Sequence, residues 1–253
     1  MENRIKFPIR VLRAIKDAVS LTVVVKMNIS DGFPGGLELG EACRNAKYFE
    51  EAGADALVLS GGFVSLSGFF MLRGKVPLWD MAKVHIFNGV ICSYSAFFVC
   101  IQKQAMVRNS WTKGIAVLLF GKWLVPEIAL EPCFFRAGAR AILSSVRAVP
   151  VCVLGGINGL GAIEGAMKEG FAMVQMARAL IREPFFVKRL IREIESSEEL
   201  GGGQRKGSGG EVEVTSKCIH CNECVISSID PSPRTFCSER LRDPTILKDI
   251  EDL

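Results

Sequence analysis

The sequence predicts an α/β protein with a parallel sheet of about four strand–helix units, followed by a cysteine-rich C-terminal tail. Three observations predict it. Apolar runs of strand length alternate with amphipathic helical segments through most of residues 1–195. The runs show no regular polar alternation, as expected of parallel strands with both faces covered. Several runs end in glycine or polar residues, the composition of a ligand-holding C-terminal sheet edge.

The elements follow in order. Ile5, Ile9, Leu12, Ile15 and Val19 stand at helical spacing with lysines and arginines between them, an amphipathic helix. The β-branched run from Leu21 to Met27 is a strand, and Asp31 to Gly36 is a loop. Leu39 to Ala52 is helical and stops at Gly53; Asp55 to Ser60 is the second strand, closed by Gly61 and Gly62. After a long irregular stretch, Phe134 to Val146 is a helix and Val149 to Leu154 the third strand, ending at Gly155 and Gly156. Gly159 to Glu169 is a helix, Phe171 to Met176 the fourth strand, and Pro184 to Glu195 a helix with Pro184 in its first turn. Residues 198–216 are a linker by composition, and 217–253 form the tail.

Bulk composition narrows the function. Of 253 residues, 49% are hydrophobic and 23% charged, enough apolar mass for a sizeable core. A formal charge of +4, scattered along the chain, argues against a nucleic-acid partner. Met1-Glu2-Asn3-Arg4 runs straight into an amphipathic pattern without the apolar segment of a secretory signal. Nine cysteines in such a chain point to the reducing cytoplasm and to metal or redox chemistry rather than disulfides. Ile86 to Ile101 is uncharged, but it is short for a membrane span and carries Asn88, Gly89, Ser93, Tyr94 and Ser95. A buried segment or an insertion fits it better, and no membrane partner is expected.

Three constellations carry chemistry. A glycine pair after an apolar strand, here Gly155-Gly156-Ile157, lets backbone N–H groups approach a phosphate; it equally suits a plain tight turn. One strand–helix unit later, Ala177-Arg178 ends the fourth strand. The guanidinium is placed to pair with the same phosphate, or with a surface carboxylate. The second constellation is Lys26 in Val25-Lys26-Met27-Asn28, a cation at a strand end that either finds an anionic partner or snorkels to solvent.

The third is Cys218, Cys221 and Cys224, spaced C-x2-C-x2-C, with Cys237 after twelve intervening residues. A thiolate trio plus one distant member suits an iron–sulfur cluster; four-sulfur zinc and free thiols are the rivals. His220, inside the trio, reads as a bystander, and Cys43, Cys92, Cys100, Cys133 and Cys152 as small hydrophobes. The chain has two histidines, His85 and His220, neither at a predicted strand end, and carries no Ser-His-Asp set, Walker loop or G-x-G-x-x-G after a strand.

Set in order, Glu2-Asn3-Arg4 with Phe7, Val25-Lys26-Met27-Asn28, Phe49 to Asp55, Ser60-Gly61-Gly62, Leu72 to Pro77, Phe120 to Pro126, Gly155-Gly156-Ile157, and Met176-Ala177-Arg178-Ala179-Leu180 with Glu183-Pro184 form a recognisable series. It resembles the NADH:flavin oxidoreductase, or old yellow enzyme, family from the helix before the fifth strand onward. The resemblance covers most of residues 1–195 apart from about 85–110. It implies that residues 1–197 are the C-terminal half of an FMN-binding (β/α)8 TIM barrel, with 85–110 an irregular insertion.

Several expectations come with the resemblance. Lys26 matches the basic residue beside the flavin pyrimidine edge. Gly155, Gly156, Ala177 and Arg178 match the FMN phosphate site, with Ala177 where the family commonly has glycine. The tail resembles the segment that holds a 4Fe–4S cluster in longer members, with Cys218, Cys221, Cys224 and Cys237 as ligands and zinc as the alternative. NAD(P)H is the implied reductant, and an electron-poor alkene or carbonyl compound the small-molecule substrate.

No catalytic residue is assigned, because the family's substrate-facing pair belongs to the first four strands, which nothing here matches. A four-strand piece leaves two open parallel edges, so a complementing chain or self-association through them is expected. The alternatives are a non-catalytic barrel fragment and a metal-binding interaction module.

Overall fold

The structure is a computed structural model and describes residues 2–63, 70, 72–80, 115, 118–120, 127–199, 214–229 and 235–242. The insertion expected at 85–110, including His85, Cys92 and Cys100, and most of the linker at 198–216 lie outside these residues.

Four strands, β1 (Val24–Asn28), β2 (Ala56–Ser60), β3 (Val151–Leu154) and β4 (Met173–Gln175), form one parallel sheet in the order β1-β2-β3-β4. Each adjacent pair is in register along its length, with Met27 opposite Leu59, Leu59 opposite Val153, and Val153 opposite Val174. The helices that alternate with the strands are α1 (Glu2–Ala18), α2 (Leu39–Glu51), α3 (Arg136–Leu143) and α4 (Leu160–Lys168). They deliver Leu12, Ala42, Ala46, Phe49, Ala139, Ile142 and Ala166 to the cluster that holds Met27, Leu57, Leu59, Val151 and Val153. The expected α/β architecture and parallel sheet are present. The strand residues of this cluster alternate along β1, β2 and β3, so the helices cover one face of the sheet. On the other face Val24, Lys26 and Met173 are exposed.

The strands start later than the apolar runs do, and carboxylate contacts to backbone amides explain it. Asp55 accepts the Val23 amide at 2.6 Å and pairs with Lys16 at 2.8 Å, so residues 19–23 connect α1 to the sheet and β1 begins at Val24. Glu50 accepts the amides of Arg147, Ala148 and Val149 at 3.0, 2.6 and 2.9 Å. Those donors are lost to the sheet ladder, and β3 begins at Val151. Such three-fold capture of backbone N–H groups by one carboxylate fixes a loop by charge-assisted bonds.

Past β4 the chain forms two helices where one was expected. α5 (Arg178–Arg182) stops at Glu183, which is extended at φ −137° and ψ 85°, and α6 (Phe186–Glu199) follows. A residue before proline is pushed out of the helical region, so Pro184 separates two helices instead of opening one. The tail contributes α7 (Glu223–Ile229) and α8 (Ser238–Arg242). Its approach is docked rather than loose. Thr215 bridges Gly159, Ser216 donates to the Asn158 carbonyl at 2.7 Å, and Val214 packs with Phe186 and Leu190. Among the described residues no helix is long and apolar enough to cross a membrane.

Candidate functional site

The C-terminal edge of the sheet is built from its loops inward. After β1, Asn28 donates from Nδ2 to Asp31 Oδ1 and to the Gly62 carbonyl, both at 2.9 Å. Asp31 in turn accepts the Leu37 amide at 2.8 Å, and Gly62 donates to the Ser30 carbonyl at 2.7 Å. The first two strand ends are thereby tied together. Lys26 lies two register positions earlier, opposite Val58, and is exposed on the face that the helices leave open.

The loop after β3 holds Gly155 at φ +108° and Gly156 at φ +73°. A Cβ on Gly156 would stand 2.8 Å from the Glu131 carbonyl oxygen and 2.9 Å from the Phe134 ring. Both glycine conformation and close approach are therefore required there. The Phe134 amide donates to the Gly155 carbonyl at 3.0 Å. Phe134 and Phe135 meet edge to face at 4.6 Å, Phe70 lies 5.6 Å from Phe135, and the Arg73 guanidinium stands 4.5 Å over Phe134. Such a cation over a ring is worth about 0.5–2 kcal/mol, depending on its desolvation. Arg73 Nε is buried without a hydrogen-bond partner.

Leu154 at the end of β3 pairs with Gln175 of β4, so the Gly155-Gly156 loop and the Ala177-Arg178 loop leave the sheet side by side. Their side chains part company. Arg178 donates from one guanidinium nitrogen to the Arg73 carbonyl at 2.9 Å and to Asn222 Oδ1 at 2.5 Å. None of its hydrogen bonds goes to the Gly155-Gly156 loop, and no carboxylate among the described residues pairs with it. Burial lowers its pKa from the usual arginine value, while nearby Cys218, Cys224 and Cys221 act in the other direction.

The cysteine loop is shaped by two residues in the left-handed region, His220 at φ +54° and Asn222 at φ +62°. Asparagine tolerates that conformation well. Asn222 also donates from Nδ2 to the carbonyls of Leu72 and Lys75 at 2.9 and 2.8 Å, which fastens residues 72–75 across the tail. Gly74 permits this: a Cβ there would lie 2.5 Å from the His220 carbonyl oxygen. His220 is buried, faces Asn158 at 3.5 Å, and has its pKa lowered to about 4 by burial and by the Arg178 charge.

Ser227 Oγ donates to the Cys224 carbonyl at 2.8 Å and also meets the Phe236 backbone, while Ser238 bonds to Glu223. These contacts bring Cys237 to the trio. Cys218, Cys221, Cys224 and Cys237 line one hollow with Arg178 and His220. Burial raises the thiol pKa values of Cys218 and Cys221 and carries that of Cys224 to about 11. A soft cation compensates such buried thiols by taking them as thiolates. Among the described residues, however, no three Cys, His, Asp or Glu converge closely enough to hold a metal ion.

The four cysteines that the sequence pattern singles out line one hollow. The pattern gives no role to Asn222, and Arg73 and Gly74 enter it only within the resemblance of Leu72 to Pro77, because their partners are distant in sequence. The one local signal was an asparagine inside the cysteine loop, a residue suited to left-handed turns.

No known family profile matches the chain. A 4,4'-dithiodibutanoate disulfide reductase from Rhodococcus erythropolis is 33% identical over 226 residues, which is 88% of this chain and 45% of that protein. The chain thus spans a little under half the length of the relative it matches.

Proposed function

We propose that the chain is part of an FMN-dependent NAD(P)H oxidoreductase of the old yellow enzyme type, with a four-iron cluster in its tail. The observation that carries the reading is the similarity to a disulfide reductase along 88% of the chain. The geometry is in keeping with it. Strands in strict sequence order with helices on one face are how consecutive units of a (β/α)8 barrel lie. In that arrangement the face carrying Lys26 is the barrel interior, and the loops after β3 and β4 lie at the barrel end that holds ligands.

In this reading Gly155, Gly156 and Ala177 bring backbone close to the FMN phosphate, Arg178 lies beside them, and Lys26 offsets negative charge on the flavin ring. The flavin supplies hydride transfer from NAD(P)H. The relative's name gives an organic disulfide as its substrate, and we extend that class to this chain. NAD(P)H and one proton reduce R–S–S–R to two thiols and leave NAD(P)+. The thiols in the tail are read as the cluster's ligands, with zinc as the alternative. A tetrahedral zinc draws its sulfurs to about 2.3 Å from one point. A four-iron cube would offer each thiolate its own iron.

Purified protein tests this directly. Bound FMN, iron with sulfide, and NAD(P)H oxidation on addition of 4,4'-dithiodibutanoate are the expected results. Colourless protein without flavin or iron overturns the reading. A second reading, a metal-binding interaction module, is favoured by one observation: the Arg178 guanidinium bonds to the tail and not to the glycine loop. Metal without flavin would decide for it.

A further inference from the structure

We infer that Asn222 of the tail is a positioning residue for the phosphate site: its side-chain amide fixes the edge that Arg178 presents to the FMN phosphate. The inference rests on the flavin reading and deepens it, by making the tail part of what holds the flavin.

The first observation is how Arg178 is held. One nitrogen, Nη1, makes both of its hydrogen bonds, to the Arg73 carbonyl at 2.9 Å and to Asn222 Oδ1 at 2.5 Å. That nitrogen carries two N–H groups, and these two acceptors satisfy them. The guanidinium plane is thereby set. The donors of Nε and Nη2 form the other edge of the fork, the edge suited to two oxygens of one phosphate. Contact with the tail and recognition of a phosphate therefore use different edges of the same side chain.

The second is that Asn222 sets both acceptors. It is buried, 4% exposed. Its Nδ2 donates to the Leu72 and Lys75 carbonyls at 2.9 and 2.8 Å. Turning the amide would break all three of its bonds, so Oδ1 is held toward Arg178. The carbonyls it grips flank that of Arg73, the other acceptor, so the same amide fixes this one too. Gly74, between them, is tied from behind by its amide on the Ile128 carbonyl at 3.0 Å, and has no Cβ to strike the His220 carbonyl oxygen. The backbone of Asn222 lies at φ +62°, where asparagine is well tolerated.

The full chain, stripped of flavin, is titrated with FMN and with riboflavin, which lacks the phosphate. Wild type is compared with Asn222→Gly, Arg178→Gln, the double variant and Asn222→Asp. Glycine deletes the amide without straining the left-handed backbone. Asn222→Gly is expected to weaken FMN binding about tenfold to a hundredfold, the worth of a hydrogen bond to a charged group, and to leave riboflavin binding unchanged. Arg178→Gln should do the same. The double variant should be no weaker than Arg178→Gln alone, because Asn222 acts through Arg178. Asn222→Asp gives up both N–H donors and sets a negative charge against the guanidinium, so it too should weaken FMN and spare riboflavin. It decides the matter if Asn222→Gly does not fold.

Equal weakening of FMN and riboflavin is what a merely structural role produces, and it overturns the inference. Unchanged FMN binding in the deciding variant does the same, as does a double variant weaker than Arg178→Gln alone. A wild type that binds FMN and riboflavin equally well removes the phosphate site and the inference with it, and leaves the flavin reading standing. A wild type that binds neither overturns both.

Discussion

The helix-covered face of the sheet and its C-terminal edge are held by different forces. On the covered face, Leu57, Leu59, Val151 and Val153 interlock with Ala42, Ala46, Ala139 and Ile142, and the contact is apolar throughout. At the edge the fastening is polar and long-range. Asn222 reaches the carbonyls of Leu72 and Lys75 across 150 and 147 positions, and Arg178 reaches Arg73 across 105. Burial of apolar area is non-directional and tolerates small shifts, while hydrogen bonds fix geometry to tenths of an ångström. A protein that must keep the loops at one sheet edge in register, yet stay folded, gains from that division.

Breaking the covered face should have the largest effect. Leu59 is fully buried in the centre of the sheet. Leu59→Ala is expected to cost about 2–5 kcal/mol and to lower the single thermal transition. Breaking the edge should behave otherwise. Asn222→Ala removes the partner of two carbonyls and of Arg178, and leaves alanine in a left-handed turn, at a cost of about 2–3 kcal/mol. The loss should be local. Hydrogen exchange would rise in residues 72–80 and 214–229 while β2 and β3 stay protected. Equal loss of protection in the strands would mean that edge and core unfold as one unit, and the comparison would fail.

Gly156→Ala sharpens the comparison within the edge itself. The added methyl group meets the Glu131 carbonyl oxygen and the Phe134 ring at a positive φ. A cost of about 1–3 kcal/mol is expected, with displacement of Phe134 from under Arg73 and loss of bound FMN where the phosphate reading holds. Near-ultraviolet circular dichroism and flavin content report the two effects separately.

The same division decides what the sequence could reveal. Strand–helix alternation was legible because an apolar period is local, and so were the four cysteines, whose spacing is itself the signal. Strand starts were misplaced by two or three residues because Asp55 and Glu50 capture backbone amides from distant segments. The helix expected from Pro184 to Glu195 began instead at Phe186, since proline restrains Glu183 as well as itself. Arg178 was legible as a strand-end cation, but its hydrogen bonds run to Arg73 and Asn222, partners that no periodicity marks. The contacts of Arg73, Gly74 and Asn222 were illegible for the same reason, although Arg73 and Gly74 stand within the resemblance at Leu72 to Pro77: each contact forms only after residues far apart in sequence have met.

The smallest expected effect tests whether charge also supports the covered side. Glu169, just past α4, joins Arg136 and Arg140 of α3, with Arg140 Nε at 2.7 Å. Hydrogen bonds from Arg140 and Arg136 lower its pKa from 4.5 to about 2. The folded state therefore binds this proton less readily than the unfolded chain. The contribution is complete above about pH 4.5 and is lost as pH falls towards 2. The site is close to solvent, so the contribution is about 1 kcal/mol or less, and salt should reduce it. Glu169→Gln should flatten the fall in stability between pH 4.5 and 2 while changing little else at acid pH. Urea midpoints across that range measure it. An unchanged slope in the variant would mean that α3 and α4 are joined by their apolar contact with the sheet alone.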